Sequence, residues 1–429
     1  MLSTSPLESR SAAGLVRRWR QASEPRELAR VYDELRSAGP LVPTPWGALL
    51  VPGYQDCRQV LLDRTWGTLT ASWRERFRPG WRESASTVGL CQTPLQQDPP
   101  EHTARRRPLA KALSPRALGD MADSFAAPLA LEHVRAFADE VRAEGVADVV
   151  GSICRPLPTA VLAGFLGLPK DVDLEWLATE SLAMVRIEEL ASPPSVVRRA
   201  DEAATALLER YDQLLAERLR QPEGDDLLFH WAKGDPSGSR YLLLTLFSAG
   251  VPTTAALLAS LAHALITRPA LAERIRQEPD FSDRVVDEVL RWDPPGRLVT
   301  RVAGAETELG GRVLPEGQVV HALIGAAHRD PAEFHDPHTF LPRQAPQPQR
   351  LLAFGSGLHY CPGTHLARAQ AVAFARGFAA ELPGARAAGT PERHAGPSMT
   401  DITRLPVTLA PPTTSDTSST SRTSSTSTA

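Results

Sequence analysis

One cysteine lies in a stretch whose composition suits a ligand for a metal ion. Residues 354–363 read FGSGLHYCPG, with Cys361 near the end and glycines at positions 355, 357 and 363. Glycine lets the backbone come close to a flat partner that side chains would keep away. The residues that follow predict a helix, and the positive end of a helix favours the thiolate form of a cysteine. We therefore interpret Cys361 as a candidate thiolate ligand.

Two other interpretations of Cys361 are open at this level. A free cysteine is most often a buried structural residue. A zinc site formed with His359 and His365 is the second alternative, although structural zinc sites normally draw their ligands from two separated pairs. No CxxC pair exists among the four cysteines, which favours a reducing compartment over a disulfide framework. The remaining cysteines are interpreted as structural: Cys57, Cys91 and Cys154.

Two helical spacings elsewhere place polar side chains on one face. His102 and Arg106 in DPPEHTARRR are four residues apart, and both side chains can donate hydrogen bonds to a carboxylate. Glu288 and Arg291 in DEVLRW are three residues apart and can form an ion pair. Either spacing on its own is also typical of a solvent-exposed helix face.

The pattern F-G-x-G-x-H-x-C-x-G, from Phe354 to Gly363, closely resembles the haem-binding signature of the cytochromes P450. The resemblance implies that Cys361 is the proximal thiolate ligand of the iron of haem b (iron protoporphyrin IX). It also implies that Phe354 packs beside the thiolate, that His359 reaches a haem propionate, and that Gly355 and Gly363 belong to the haem-binding loop. A thiolate ligand pushes electron density onto the iron and favours cleavage of the O–O bond.

Two further stretches match the family's propionate-binding segments. The stretch DPPEHTARRR resembles the bacterial helix that carries two propionate ligands, which here are His102 and Arg106. Arg301 in LVTRVAG falls where the family has another propionate-binding arginine.

Glu288 and Arg291 match the family's E-x-x-R pair, which is structural and supports the cysteine loop. The third partner of that pair is usually an arginine in a P-x-R-F stretch. Residues 337–340 read PHTF and contain no arginine.

The run Tyr241–Ile266 is uncharged and predicts one long central helix, but Pro252 lies within it. Proline removes a backbone N–H and clashes with the preceding turn. In the family this helix crosses the oxygen-binding side of the haem, is locally opened at an Ala-Gly pair, and carries A-G-x-[D/E]-T-[T/S]. Here residues 249–254 read AGVPTT, so Pro252 stands where the family has an acid that helps to relay protons. The resemblance assigns catalytic roles to Ala249, Gly250, Thr253 and Thr254.

The missing acid leaves two hypotheses about the reaction. In one, water, Thr253 or the substrate supplies the proton path and the substrate is hydroxylated. In the other, the oxidised substrate couples, forming a C–C or C–N bond. Family members that act on cyclic dipeptides also have a non-acidic residue here and Cys-Pro-Gly after the ligand, as in residues 361–363. Coupling or dimerisation of a cyclic dipeptide (diketopiperazine) is therefore one alternative.

The resemblance implies an oxidoreductase, a haem-thiolate monooxygenase or oxidase acting on a small hydrophobic natural product in bacterial secondary metabolism. It would use O2 and electrons from NAD(P)H, delivered by a separate ferredoxin and ferredoxin reductase, since the chain has no flavin or iron–sulfur module. The alternative from another class is a haem-binding gas sensor without turnover. The pocket walls are expected from residues 84–92, 177–197, 247–253 and 296–300, a mostly apolar lining with Ser and Thr.

These side chains need a scaffold, and the sequence predicts a mainly α-helical one with small β-sheets (α+β). The resemblance implies the cytochrome P450 fold, with haem between the long central helix and the helix after the cysteine loop. Helical patterns cover residues 98–112, most of 122–220, 283–292 and 366–382. Residues 47–51 predict a short strand, and residues 310–325 predict a small hairpin.

Composition and net charge indicate the general class of protein. The 429 residues are 42% hydrophobic with a net charge of −3, which is typical of a soluble globular protein and gives no basic excess for nucleic acid. We expect a single domain over residues 1–410 and a disordered tail over 411–429, where 14 of the last 17 residues are Ser or Thr. The central helix is long enough to span a membrane, but its polar residues favour a buried helix. Since the N-terminus has no apolar leader, we expect a cytoplasmic protein, and a monomer.

Overall fold

The computed structural model describes residues 6–119, 122–190, 192–342, 350–394, 396–400 and 402–409. Helices predominate in this part of the chain, and the strands are short. The helices are α1 (Pro6–Gln21), α2 (Pro25–Ser37), α3 (Tyr54–Leu62), α4 (Ala71–Phe77), α5 (Ala85–Cys91), α6 (Glu101–Ala112), α7 (Pro115–Leu118), α8 (Ala127–Glu144), α9 (Pro156–Leu166), α10 (Leu174–Val185), α11 (Pro194–Arg220), α12 (Leu227–Gly234), α13 (Pro236–Thr245), α14 (Val251–Thr267), α15 (Pro269–Gln277), α16 (Phe281–Trp292), α17 (Ile324–Ala327) and α18 (Thr364–Glu381).

The strands are β1 (Val42–Pro43), β2 (Leu49–Val51), β3 (Trp66–Gly67), β4 (Ala147–Asp148), β5 (Val299–Ala303), β6 (Thr307–Leu309), β7 (Arg312–Leu314), β8 (Val319–Ala322), β9 (Ala385–Ala387), β10 (Glu392–Arg393), β11 (Ile402–Arg404) and β12 (Pro406–Leu409). The largest sheet has the order β1-β2-β8-β5-β3, in which β2 runs parallel to β8 and the other pairs are antiparallel. A second sheet has the order β4-β12-β9. The expected fold class, mainly α with small sheets, is confirmed.

The hairpin predicted over residues 310–325 is wrong in its pairing. Strand β7 pairs with the preceding strand β6, and β8 instead joins the largest sheet between β2 and β5. Leu309 pairs with Arg312, which leaves Gly310 and Gly311 as a two-residue turn with φ values of +55° and +71°. A two-residue hairpin turn of this kind needs positive φ at both positions, and two glycines supply it. The double glycine therefore marks the hairpin, one strand earlier than predicted.

A capping side chain and a proline favour the start of the central helix. Asp235 caps α13, because its side chain accepts a hydrogen bond from the backbone N–H of Gly238 at 2.9 Å, and Pro236 is the first helical residue. Residues 236–267 are apolar and long enough to cross a membrane, and 83% of the most apolar stretch is buried inside the protein. Such burial is typical of a core helix, as expected.

The main hydrophobic core surrounds this helix. Strongly apolar faces of the neighbouring helices close over it, and α18 packs against α8, α14, α15 and α16. The largest sheet carries a second, smaller cluster of buried residues, and α1 and α2 cover a third. The single domain over residues 1–410 stays a prediction, and the expected tail over 411–429 lies outside the described residues.

Candidate functional site

A cavity of about 1470 Å³ lies between the central helix and the loop that carries Cys361. Its wall on the side of the central helix includes Ala249, Gly250, Thr253 and Thr254. Its opposite wall includes Phe354, Gly355, His359, Cys361 and Gly363. Arg106 and Arg301 also line it. The fold thus brings together, around one cavity, residues that lie more than 250 positions apart in the sequence.

Glycine is required in the cysteine loop for reasons that the geometry makes explicit. The backbone N–H of Cys361 donates to the carbonyl of Phe354 at 2.9 Å, which closes the loop. Gly355 and Gly357 have φ values of +71° and +67°, a region that favours glycine. A Cβ atom on Gly357 would lie 2.5 Å from the carbonyl oxygen of Leu61 on α3. The loop can therefore approach α3 only with glycine at this position.

Burial dominates the environment of the Cys361 thiol. Desolvation raises its pKa, whereas the backbone N–H of Gly363, the nearby hydroxyl of Thr364 and the charge of Arg106 act to lower the pKa. The Thr364 hydroxyl also donates to the carbonyl of Cys361 at 2.8 Å, at the first residue of α18. The helix start therefore favours the thiolate, as expected, but burial is the larger effect in the protein alone.

Two histidines meet beside the cavity. The ring centroids of His102 and His359 are 4.3 Å apart, and His102 is only 1% exposed. Burial, together with the charges of His359 and Arg106, lowers the pKa of His102 to about 4. Burial also lowers the pKa of His359, against an opposing effect of Asp98. Both rings are therefore neutral near neutral pH.

Two of the arginines that line the cavity lie near the cysteine loop, and of these Arg301 is buried and Arg106 is partly buried. Arg301, on β5, donates to the carbonyl of Thr300 at 2.9 Å, and burial lowers its pKa to about 10. Arg106, on α6, donates to the carbonyl of Tyr360, next to the cysteine, and burial lowers its pKa as well. A buried guanidinium is costly unless an anion accompanies it.

These groups fit a flat ligand that carries carboxylates, as haem does. Neither ring nitrogen of His102 nor Nε2 of His359 has a hydrogen-bond partner among the described residues, although all three atoms are buried. Carboxylates bound beside them would accept hydrogen bonds from the protonated nitrogen of each ring and from the two arginines. The cysteine itself borders the cavity, so a flat group in the cavity would lie within reach of its sulfur.

The central helix widens where it borders the cavity. Residues 246–250 form a single π turn between α13 and α14. This turn is the local opening at Ala249-Gly250 that the resemblance implied. Pro252 is the second residue of α14, immediately after the turn. A proline is tolerated there because the regular ladder of backbone hydrogen bonds is already interrupted.

Thr253 and Pro252 face different surroundings. The hydroxyl of Thr253 lines the cavity and donates to the carbonyl of Ala249 at 2.6 Å, so toward the cavity it offers a lone pair as an acceptor. The ring of Pro252 borders a separate, small pocket together with Arg155 and Arg186. Position 252 is therefore adjacent to the cavity wall but turned toward two arginines.

The structural pair Glu288 and Arg291 is buried, and backbone groups of residues 337–341 contact both side chains, whereas Thr339 stands at the arginine position of the family's P-x-R-F stretch. Arg291 donates to the carbonyl oxygens of Pro337 and Thr339, both at 2.9 Å. The side chain of His338 instead lies 3.0 Å from a carboxylate oxygen of Asp33. The loop is thus held by its backbone, which does not depend on an arginine in the PHTF stretch.

The four predicted wall segments all contribute to the cavity, but the sequence reasoning missed residues 69–81. This stretch adds aromatic and charged side chains to a lining predicted to be mostly apolar: Trp73, Arg74, Phe77, Arg78 and Trp81. Glu188, within a predicted segment, was not recognised as a site residue. The alternation of aromatic and basic residues in ASWRERFRPGW was the available signal.

The zinc alternative finds no support in the part of the chain that the structure describes. No group of three or more His, Cys, Asp or Glu side chains there is arranged to hold a metal ion. His365 lies on the exposed face of α18, whereas Cys361 borders the cavity.

Comparisons with known proteins agree with this geometry. The sequence profile of one family, described as Cytochrome P450, matches residues 235–375. The chain is 31% identical to the cytochrome P450 monooxygenase PikC of Streptomyces venezuelae, over 79% of this chain and 80% of that one. It is 30% identical to nocardicin C N-oxygenase of Nocardia uniformis subsp. tsuyamanensis, over 88% of this chain and 94% of that one. Among solved structures, CalO2 superposes with a TM-score of 0.79 and 27% identity, covering 91% of this chain and 98% of that one.

Proposed function

The chain belongs to the cytochrome P450 family, and on that premise we propose that it oxidises a small, largely apolar natural product in secondary metabolism. It is an oxidoreductase of the monooxygenase type. The observation that carries the substrate proposal is the large, mainly apolar cavity between the π turn and Cys361. Relatives of this chain include a hydroxylase of 6-deoxyerythronolide B and an N-oxygenase of nocardicin C.

We propose that the cavity holds haem b. Cys361 would bind the iron, with Phe354 packed beside the sulfur and the backbone at Gly355 and Gly363 close to the ring. The propionates would be held by polar side chains that gather at one side of the cavity: His102, Arg106, Arg301 and His359. Haem with a thiolate ligand supplies the activation of O2 by two electrons.

On the opposite wall, the chain's own residues would bind and orient the reactants. The π turn at Ala249 and Gly250 leaves a groove in the helix, and Thr253 and Thr254 border it. Because the Thr253 hydroxyl donates to the carbonyl of Ala249, its oxygen can accept a hydrogen bond from a group in the cavity and hold a proton there. The apolar walls would exclude bulk water.

The proton path distinguishes two reactions. Pro252 supplies no carboxylate, so protons would reach Thr253 through water or through the substrate, and hydroxylation would follow. A slow proton supply would instead favour coupling of the oxidised substrate, forming a C–C or C–N bond. Coupling of a cyclic dipeptide is the second candidate, supported by the non-acidic residue at position 252 and the Cys-Pro-Gly sequence after the ligand.

Electrons would come from NAD(P)H through a separate ferredoxin and ferredoxin reductase, as bacterial members of the family generally use such partners. We propose that the protein is cytoplasmic and acts as a monomer. Turnover with these partners also separates an oxidase from a gas sensor, which would bind ligands without forming product.

A titration of the ferric protein tests the proposal. Aromatic cyclic dipeptides, macrolactones and terpenes would each be added while the Soret band is recorded, and each ligand that binds would then be incubated with ferredoxin, reductase and NADPH. A shift and product with a cyclic dipeptide would support coupling. A shift and product with a macrolactone or terpene would support hydroxylation. If ligands bind and none of them is converted to product, the proposal of an oxidase would be contradicted.

A further inference from the structure

One carboxyl group borders the cavity without a partner. Glu188 is the last residue of a short 3-10 turn, Arg186–Glu188, between α10 and α11, and it lines the cavity. Within the described part of the chain, no hydrogen bond or ion pair reaches its carboxylate. The mainly apolar lining of the cavity therefore includes one carboxyl group without a partner.

The backbone holds this side chain in place. The hydroxyl of Ser398 donates to the carbonyl of Glu188 at 3.3 Å, and the backbone N–H of Ser398 donates to the carboxylate of Glu189 at 3.2 Å. Two neighbouring acids are thus used differently. Glu189 fixes the turn to the segment around Ser398, while the carboxylate of Glu188 is left for a group inside the cavity.

The charged groups around Glu188 do not neutralise it. Glu188 is accessible to solvent, and desolvation by the protein around it is the largest of the effects that raise its pKa to about 7. Within that value, Arg74 on α4 acts to lower the pKa and Glu189 acts to raise it. Arg74 is held by the carbonyl of Leu69 at 3.1 Å and by Oε1 of Gln96 at 2.9 Å. From α10, α11 and the Ser398 segment, no other charged group of the described residues acts on Glu188.

We propose that Glu188 anchors a cationic nitrogen of the substrate, either a protonated amine or a quaternary ammonium group. This inference rests on the proposed function, since it takes the cavity to be the substrate site. A carboxylate that borders a mainly apolar cavity and has no partner in the protein is available to pair with a cation brought by the ligand. The surrounding lining is mainly apolar. The substrate is therefore an apolar molecule that carries one basic nitrogen, held away from the bond that is oxidised.

The anchor has a defined pH dependence. Its pKa in the protein is raised, so below about pH 6 Glu188 is mostly protonated and has no charge to offer a cation, whereas above about pH 8 it is ionised. Binding of a permanently charged cation should strengthen from the lower to the higher pH. At pH values near the pKa, binding should release a proton, because the cation favours the carboxylate.

Calorimetry on the ferric holoenzyme tests the anchor with two matched probes. Decyltrimethylammonium carries a permanent charge and has no lone pair for iron, and decanol is its neutral counterpart. At about pH 8, the cation should bind about tenfold more tightly than the alcohol. Glu188→Gln should remove this preference and the proton release, which is read by repeating the titration in buffers of different ionisation enthalpy. Glu316→Gln is the control, since Glu316 also borders the cavity but is paired with Arg76 at 2.6 Å.

The outcomes separate the anchor from the proposed reaction. Equal affinities of the two probes, or an unchanged preference in Glu188→Gln, would overturn the anchor. Loss of the preference in Glu316→Gln to the same extent would also overturn it, because the effect would then come from the overall charge of the cavity. None of these titrations needs electrons or O2. A failure of the oxidase proposal in turnover would therefore leave their result intact, and the reverse also holds.

Discussion

Glu288 and Arg291 form a two-bond ion pair in the protein interior. Nε of Arg291 donates to Oε2 of Glu288 at 2.9 Å and Nη2 donates to Oε1 at 2.7 Å, with side chains 5% and 1% exposed respectively. The backbone N–H of Leu341 donates to the same carboxylate at 2.7 Å, and Arg291 donates to the carbonyl of His328 at 3.1 Å. The pair therefore joins α16 to both ends of the segment that precedes the cysteine loop.

Replacing Arg291→Ala should destabilise the protein by about 3–5 kcal/mol, because it leaves a buried carboxylate and three backbone carbonyls without their donor. Chemical unfolding measures the change. Asp139→Ala is the matched control: Asp139 also pairs with an arginine three residues away, Arg142, but is 78% exposed. This control should change the free energy of unfolding by less than about 1 kcal/mol. Similar effects of the two substitutions would mean that burial does not increase the contribution of the Glu288–Arg291 pair to stability.

Cys361→Ser should abolish the spectrum of a thiolate-ligated haem in the reduced carbon monoxide complex, because serine cannot supply a thiolate. Cys57→Ser is the control. The thiol of Cys57 is buried and lies 3.1 Å from the carbonyl of Val51, a contact that a serine hydroxyl can make. Retention of the thiolate spectrum in Cys361→Ser, or its loss in Cys57→Ser, would contradict the assignment of the ligand.

His102→Phe should have opposite effects on the protein with and without haem. Without haem, both nitrogens of this buried ring have no partner among the described residues, so phenylalanine should leave the free energy of unfolding unchanged or raise it. With haem, the loss of a propionate partner should speed the transfer of haem to apomyoglobin by about tenfold. A variant that is destabilised without haem, and keeps haem as well as the parent, would show that His102 is only structural.

Gly357→Ala should be more damaging than a typical glycine substitution at positive φ. A Cβ here meets the carbonyl oxygen of Leu61 at 2.5 Å, and the φ of +67° adds backbone strain. Gly145 has a φ of +80° but open space around its Cβ position, so Gly145→Ala isolates the strain, which costs about 1–3 kcal/mol. Unfolding experiments should show a larger loss in Gly357→Ala, together with weaker haem binding. Equal losses in the two variants would mean that contact with α3 does not limit the loop.

Much of this arrangement could be predicted from sequence because local patterns determine it. The helices α6, α16 and α18 lie in the stretches that were predicted to be helical, prolines precede α6 and follow α16, and the ten-residue pattern around Cys361 identifies the family. The prediction of a hairpin over residues 310–325 was wrong because the pattern of a strand does not specify which strand it pairs with, although Gly310-Gly311 marked the turn.

Residues that meet only through tertiary structure could not be recognised in this way. Glu188 reads as a surface acid beside Glu189, and only the packing of the turn against Ser398 reveals that it borders the cavity. The partners of Arg291 are backbone carbonyls, which carry no side-chain signature. Arg74 was missed for a similar reason, since its spacing alone also fits an exposed helix.

Pro252→Glu should change the outcome of catalysis more than Pro252→Ala does. Both substitutions restore a backbone N–H just after the π turn, but only glutamate supplies a carboxylate beside the cavity wall, where Arg155 and Arg186 border the same small pocket. If proton supply limits the reaction, glutamate should raise the ratio of hydroxylated to coupled product, or lower the fraction of electrons lost as hydrogen peroxide. Product analysis and peroxide assays measure both quantities. An unchanged product ratio and peroxide yield in Pro252→Glu would rule out a limiting proton supply, and equal changes in both variants would assign the effect to the helix backbone.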